Sequence, residues 1–319
     1  MNFQNLEYFI TVAKERNITR AAESLGITQQ ALSNQISRLE QELNCSLFDR
    51  KNSFEMTPSG RCFYDSAVKI LDINQETTNL LNDINDNQRG DLRIGISFSR
   101  GQAVLPMLLP EFQRMYPNVS LKVTEGTTEA MEAAFEKGQI DLLFEYAPFS
   151  LDSAVTTNLM REKAYLVVPR TLLREIFGDD ADSVVEEYHK KPDLKTFKEF
   201  PFIMLKEHDR IRSLVLREFT YNGVSPHIAM ETQNIQTAFV LASEGLGISV
   251  IPEVYLKSPY TVCSLENPET DKKVVILPFP GNRYIDTLAI GYNSNRYVSK
   301  IAKSFIELTE KKFKQLAKE

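Results

Sequence analysis

The chain is poor in the residues that carry metal, disulfide and most nucleophilic chemistry. Its 319 residues include only three cysteines and three histidines. Cys45, Cys62 and Cys263 are odd in number and far apart, with no CxxC spacing, which argues against a disulfide framework and a zinc site. Only Cys263 lies in the C-terminal two-thirds, so no intradomain disulfide switch is expected there, and all three thiols read as inert packing residues. His189, His208 and His227 have no partners at metal or triad spacing, and no GxSxG, HExxH or GxxxxGK(S/T) motif occurs. Gly245-Leu246-Gly247 is too short for a dinucleotide fingerprint and reads as punctuation before a strand. Asp179-Asp180-Ala181-Asp182 lacks the glycine and closing glutamate of a calcium loop. The expectation is a protein with no catalytic residue, no metal and no cofactor.

Long apolar runs are missing too. None approaches the roughly 18 residues that span a bilayer, and Met1–Glu7 lacks the basic-then-apolar plan of a signal peptide. A cytoplasmic protein that leaves membranes alone is expected. Nor is there an excess of positive charge, since the chain carries a net charge of −6. Within residues 1–61, seven basic side chains (Lys14, Arg16, Arg20, Arg38, Arg50, Lys51, Arg61) are offset by seven acidic ones (Glu7, Glu15, Glu23, Glu40, Glu42, Asp49, Glu55). Bulk electrostatics therefore gives no support for nucleic-acid binding, and any such case must rest on pattern. What is present is ordinary globular material, 42% hydrophobic and 25% charged, in a length that suits two or three compact units.

The first pattern is helical. Phe3, Leu6, Phe9, Ile10 and Ala13 recur at helical spacing. Asn17-Ile18-Thr19 interrupts them, and Thr19 offers an N-cap for a short helix over 20–25 that Gly26 ends. Thr28 caps a further helix in which Leu32, Ile36, Leu39 and Leu43 form one stripe. Two short helices on a tight glycine turn make a helix-turn-helix, with small Ala21 and Ala22 allowing a close crossing. The outer face carries Gln29, Gln30, Ser33, Asn34, Ser37 and Arg38. Asn and Gln pair with adenine edges, Arg pairs with guanine or phosphate, and the capped helix end presents free N–H groups to phosphate. On geometry alone, a solvated polar face on a plain helical hairpin remains the alternative. Leu47–Arg50 and Phe54–Thr57 flank Lys51-Asn52-Ser53 as a β-hairpin wing with Arg50 and Lys51 at its tip, and Thr57-Pro58 opens a new helix.

The run from Ala21 to Glu40, AAESLGITQQALSNQISRLE, resembles the signature of LysR-type transcriptional regulators. Leu43, Leu47-Phe48-Asp49-Arg50 and Thr57-Pro58-Ser59-Gly60 fall where that family places them. The family usually opens its recognition helix with Ser-Gln-Pro, whereas this chain has Thr28-Gln29-Gln30, which alters the base edge within reach. The resemblance implies DNA contacts from Thr28, Gln29, Gln30, Ser33, Asn34, Ser37, Arg38, Arg50 and Lys51. It also implies promoter DNA, a small-molecule effector and further copies of the chain (dimer or tetramer) as partners, with RNA polymerase as a candidate contact.

From Pro58 to about Ile84, the residues Phe63, Ala67, Ile70, Leu71, Leu80, Leu81 and Ile84 mark one side of a helix about 40 Å long. Such a stripe suits pairing with a second copy, as the resemblance implies, or docking on its own domain. Asn85–Asp91 is polar and glycine-containing, and reads as a hinge. The organisation expected is residues 1–60 as a winged helix-turn-helix, 61–90 as linker helix and hinge, and 91–319 as a sensor domain.

In that last region strands and helices alternate: strand 92–96, helix 103–116, strand 120–125, helix 128–137 and strand 141–145, an order implying a mainly parallel sheet. Residues 165–169 carry the chain into a second lobe, where 202–205, 211–222, 228–231, 235–244 and 248–251 repeat the scheme. Strands over 274–277 and 287–291 return, and a helix over 299–316 closes the chain. Two α/β lobes, about 91–165 with 279–319 and about 166–278, resemble the family's effector domain of periplasmic-binding-protein type. The charged stretch 172–196 is longer than the family usually has and reads as a solvated surface helix or a partner-binding insertion. Ligands of open α/β lobes sit beyond the carboxyl ends of strands. That rule selects Ser97, Phe98, Ser99, Arg100, Gly126, Thr127 and Thr128 in one lobe, and Lys206, Thr232, Gln233 and Asn234 in the other. Hydroxyls and amides beside helix N-termini suit a carboxylate or other small anion, with Arg100 or Lys206 adding charge; taken singly, these residues are equally plain N-caps. A free solute-binding protein would share the two lobes but needs a signal peptide and no DNA-reading head.

Overall fold

The computed structural model describes residues 2–49, 54–85, 88–207, 210–265, 272–280 and 284–318. Three helices open the chain: α1 (Phe3–Glu15), α2 (Ile18–Ser24) and α3 (Gln29–Glu42). Their inward faces, Leu6, Phe9, Ile10 and Ala13 from α1, Ala21 and Ala22 from α2, and Leu32, Ile36 and Leu39 from α3, close one small core. Gly26, at φ +66, makes the turn between α2 and α3, a conformation that costs glycine nothing. The cap of α2 differs from expectation. Asn17, not Thr19, accepts from the backbone N–H groups of Thr19 and Arg20 at 2.9 and 3.0 Å, so the helix starts at Ile18. Asn and Thr both cap well, and here Ile18 is drawn into the core, which places the helix start two residues earlier. Thr28 caps α3 as expected, its Oγ1 accepting from Ala31 N at 3.2 Å.

Strands β1 (Phe48–Asp49) and β2 (Glu55–Met56) pair antiparallel as the wing; Arg50 and Lys51 at its tip lie outside the described residues. Thr57 then caps α4 (Pro58–Ile84), with Pro58 in the first turn. Helix α4 serves two masters in succession. Phe63, Ala67, Val68, Ile70 and Leu71 pack on the core of the three helices, while Ile73, Leu80, Leu81 and Ile84 stand exposed.

The remaining chain forms β3 (Gly90–Ser97), α5 (Phe98–Met115), β4 (Val119–Gly126), α6 (Thr128–Glu136), β5 (Leu142–Ala147) and the long β6 (Ala154–Pro169). There follow α7 (Arg170–Phe177), α8 (Ala181–Lys190), β7 (Pro201–Leu205), α9 (Arg210–Tyr221), β8 (His227–Thr232) and α10 (Ile235–Ser243). Last come β9 (Ser249–Pro252), α11 (Glu253–Lys257), β10 (Val274–Pro278), β11 (Tyr284–Asn293) and α12 (Lys300–Leu316). The large sheet runs β10-β6-β11-β5-β3-β4, with β9 also on β6, and a small parallel sheet joins β7 to β8. The sheet is mixed, not mainly parallel. Only β4-β3-β5 follow the βαβ rule, because β6 and β11 cross between the lobes in opposite directions and pair antiparallel with their neighbours. Strand β6 changes partners midway, pairing with β11 up to Lys163 and with β9 and β10 from Ala164.

Helix α5 begins at Phe98, five residues before the expected start, so Phe98, Ser99 and Arg100 form its first turn instead of a preceding loop. Two serines and Gly101 mimic a loop, and Pro106 and Pro110 inside the helix weaken its local signature further. The charged stretch 172–196 folds as α7, α8 and two 3-10 turns. Leu173, Ala181, Tyr188 and Leu194 bury into the main core, so it is part of the second lobe instead of a merely solvated helix. Of the three thiols, Cys263 is buried and Cys45 half-buried, but Cys62 is exposed on α4 instead of packed in a core. Among the described residues no helix is long and apolar enough to cross a membrane, and no cluster of metal-binding side chains occurs.

Candidate DNA-binding face and effector cleft

On α3, the stripe Leu32, Ile36 and Leu39 faces inward, which leaves Gln29, Gln30, Asn34 and Arg38 exposed and Ser33 and Ser37 at the margin. Because Thr28 satisfies only the third N–H of the helix, the first-turn amides of Gln29 and Gln30 remain directed at whatever approaches that end. The face carries one cation, Arg38, amid amides and hydroxyls, a composition for reading base edges more than for clamping phosphate. Glu40, on the same helix, accepts from the backbone N–H groups of Leu47 and Phe48 at 2.8 and 3.2 Å. That carboxylate fixes the wing relative to the recognition helix, a role the sequence did not reveal.

The effector candidates converge from two lobes. Strands β3 and β4 are parallel and end in register at Ser97 and Gly126, so the first turns of α5 and α6 start side by side. In the second lobe Leu205 and Thr232 are register partners, and Lys206 N donates to Thr232 O at 3.1 Å. Asn234 caps α10 through Gln236 N and Thr237 N at 2.8 and 3.2 Å. Gln236 in turn donates to the Gln102 side chain on α5, closing the gap between the two groups. Phe98 is exposed at this rim.

Behind the rim lies a buried polar cluster. The Arg100 guanidinium stacks over the Tyr146 ring at 4.2 Å and reaches Glu162 at 3.6 Å, while the Tyr146 hydroxyl donates to Glu162 at 2.5 Å. Thr128 Oγ1 donates to Glu145 at 2.9 Å. Burial opposes the Arg100 charge, but Tyr146, Glu162 and Glu145 outweigh it and push its pKa up. For Glu162 burial wins over Arg100 and Tyr146, and the carboxyl sits above its ordinary value. Burial likewise raises the Tyr255 phenol, against the pull of Arg100 and Ser99. Among the described residues, Arg100 Nε is buried with no hydrogen-bond partner.

Comparison with known proteins places both parts of the chain in one family. Residues 3–61 match the family model for the bacterial regulatory helix-turn-helix protein of the lysR family, and residues 85–314 match the LysR substrate binding domain. The chain belongs to the LysR family. It is 31% identical to an uncharacterized HTH-type transcriptional regulator, YcgK of Bacillus subtilis, over 99% of this chain and 96% of that protein. BudR of Raoultella terrigena, an HTH-type transcriptional regulator, is 28% identical over 79% of this chain and 85% of its own. The fold is similar to full-length CbnR in complex with its target DNA, with a TM-score of 0.65 at 21% identity covering 98% of this chain and 100% of that one. A full-length OxyR variant from Pseudomonas aeruginosa gives 0.65 at 22% identity, covering 98% and 97%. As a LysR-family member the chain is a DNA-binding transcriptional regulator with an effector-binding domain.

Within this LysR-type regulator the strand-end rule gathers Ser97, Phe98, Ser99, Gly126, Thr127 and Thr128 at one rim, with Lys206, Thr232 and Gln233 at the other. Arg100 differs from them in being buried, its guanidinium held by Glu162 and Tyr146 behind the rim. Thr128 is engaged by Glu145. Sequence reasoning missed Glu145, Tyr146, Glu162, Tyr255, Gln102 and Gln236. A signal existed for Glu145, a lone carboxylate inside Leu142-Leu143-Phe144-Glu145-Tyr146, whereas Glu162 hides between Arg161 and Lys163.

Proposed function

We propose that this regulator answers to a small anionic or carboxylate effector bound between its lobes. The effector is held by hydroxyl and amide groups of Ser97, Phe98, Ser99, Gly126, Thr127, Thr128, Thr232 and Gln233, with Lys206 at the rim and Arg100 supplying positive potential from the floor. The observation that supports this most is the meeting of three helix N-termini, α5 and α6 side by side and α10 joined to α5 through Gln236 and Gln102. Unmet N–H groups and the helix dipole favour negative charge at such ends. DNA is read by Thr28, Gln29, Gln30, Ser33, Asn34, Ser37 and Arg38, with Arg50 and Lys51 of the wing tip on phosphate. We divide the chain at residues 60 and 90 into head, linker and effector domain, and place it in the cytoplasm as a dimer or a dimer of dimers paired through α4. RNA polymerase is a partner when the heads are bound beside it. Effector binding biases the placement of the heads only by its differential affinity for two states.

The test takes fragments recovered by genome-wide mapping of the protein on DNA. Asn34→Ala and Arg38→Ala should each weaken binding by about 1–3 kcal/mol, roughly five- to 150-fold, in gel-shift titration at fixed salt. The same variants should keep the wild-type thermal shift with a panel of small carboxylates, and Ser99→Ala with Thr128→Val should lose it. Equal DNA affinity in the first pair would refute the reading face; an unaltered shift in the second would refute the cleft.

A further inference from the structure

The second half of α4 carries a line of polar residues, Asp72, Glu76, Asn79 and Asp83, spaced at four, three and four positions and therefore on one face. Two of them are buried carboxylates, with Asp72 4% and Asp83 7% exposed. Asp72 lies between two arginines of the effector domain. Arg93 on β3 donates to it at 2.8 Å and Arg296, just past β11, at 3.1 Å. Arg93 also holds Asp141 at 2.6 Å, and Arg296 pairs with Glu76 at 3.3 Å. Eleven residues on, about 16 Å along the helix, Asp83 makes a second attachment. It accepts from the Tyr297 hydroxyl at 2.7 Å and from Lys300 N at 2.8 Å, at the start of α12, where a carboxylate also meets the positive end of the helix dipole. Lys300 Nζ reaches Asp83 O at 2.9 Å. Gly138 makes room for the first attachment: a Cβ there would lie 1.5 Å from Nη1 of Arg296.

We infer that these two attachments form a latch that makes the second half of the linker helix one rigid piece with the first lobe, so that Arg93, Asp141 and Arg296 act as positioning residues for the DNA-reading heads. The polar segment Asn85–Asp91 reads as a hinge from composition, yet the helix is held above it, at Asp72 and Asp83, and its first half is packed into the head. Head, helix and lobe are thereby joined without a free joint while the latch holds. The latch also has a path to the cleft. Asp141 N donates to Arg93 O, and Arg93 N donates to the Asp141 carboxylate, each at 2.8 Å, where β3 meets the residue that leads into β5. Four residues further along those strands, about 13 Å, stand Ser97 and Glu145 at the cleft rim and floor. A shift of the rim therefore reaches the latch through two strands instead of through a loop. The regulatory meaning rests on the function proposed above; the latch itself does not.

The test uses full-length protein and no DNA, so a failure to bind DNA and a failure of the latch are separate results. Spin labels are placed on the exposed Cys62 and on Lys311→Cys in α12, with Cys45→Ser, and labelled subunits are diluted into unlabelled protein. Double electron–electron resonance should give one narrow distance. Arg296→Gln with Tyr297→Phe should broaden it at least roughly twofold or add a second distance while circular dichroism is retained. Gly138→Ala, which crowds Arg296 and strains the turn at φ +72 without removing a charge, should do the same, and Arg296→Lys should restore part of the narrow peak. An unchanged distribution in both the double variant and Gly138→Ala overturns the proposal. So does broadening that occurs only together with lost secondary structure, which would reduce the network to a fold stabiliser.

Discussion

Glu162 is fully buried, with one arginine at 3.6 Å, one phenol and the backbone N–H of Val254 at 3.4 Å as its support, and burial lifts its carboxyl above the ordinary value. Arg100, Glu145, Tyr146, Glu253 and Tyr255 are the other ionisable groups around it. A carboxyl whose folded pKa exceeds its unfolded value holds more protons when folded. Its contribution to stability is therefore greatest in acid and is lost as pH rises from the unfolded value, about 4.5, through the raised one. Glu162→Gln should flatten the fall of melting temperature across that interval, even though the variant is less stable overall because Arg100 loses its partner. Calorimetric melting against pH measures it, and an unchanged slope would mean that Glu162 is ionised throughout. This residue also marks where sequence reading stops. The outward face of α3 follows from periodicity, since Leu32, Ile36 and Leu39 fix what must face away. A carboxylate between two basic neighbours on a crossing strand gives no such sign, because its partners are 62 and 16 positions earlier, at Arg100 and Tyr146.

Elements were legible where local chemistry states both ends. The α4 boundaries follow from Thr57-Pro58 and from the last apolar position, Ile84, with no help from tertiary contacts. By contrast, the start of α5 was hidden because a helix that leaves directly from a strand needs no loop, and its serines and glycine imitate one. The antiparallel pairing of β6 and β11 is a property of the crossing between lobes, which no local window contains. The stripe on α4 suits either pairing with a copy or docking on its own domain, and the helix divides between them: Phe63, Ala67, Ile70 and Leu71 pack on the head, while Leu80, Leu81 and Ile84, with Ile73 beside them, remain open at 40, 52, 70 and 63% exposure. At about 100° per residue this face lies beside the latched one, so a second copy can pair there without disturbing Asp72 or Asp83. Leu81→Glu with Ile84→Glu should weaken self-association by about 3 kcal/mol, roughly a hundredfold in sedimentation equilibrium. The melting temperature at saturating concentration should hold, since neither side chain enters a core. A dimer that survives the double change places the contact elsewhere.

At the scale of the molecule the two-lobed plan was readable from alternation, and the family from a single twenty-residue run; how lobes, helix and head lock together was not, because Asp72 and Arg296 are 224 positions apart. Charge is the other whole-molecule property, and it sets how this regulator meets DNA. The head residues 1–61 are neutral and the chain is −6, so long-range attraction does not gather it onto a polyanion. The candidate contacts include three basic side chains per head, Arg38, Arg50 and Lys51. If all six in a dimer displaced counterions, the slope of log affinity against log salt would be about −5, from −0.9 per phosphate neutralised. Backbone amides at the start of α3 bind phosphate without adding to that count of cations. The expected slope is therefore no steeper than about −5, and Arg38→Ala should make it shallower by nearly 2 if the guanidinium sits on phosphate, but leave it almost unchanged if it reads a base. In the latter case the variant should instead lose preference for one base pair at constant slope. A slope near −10 in wild-type protein would show that cations outside the recognition helix and wing carry the binding, and that the polar face of α3 is not what holds this regulator to its site.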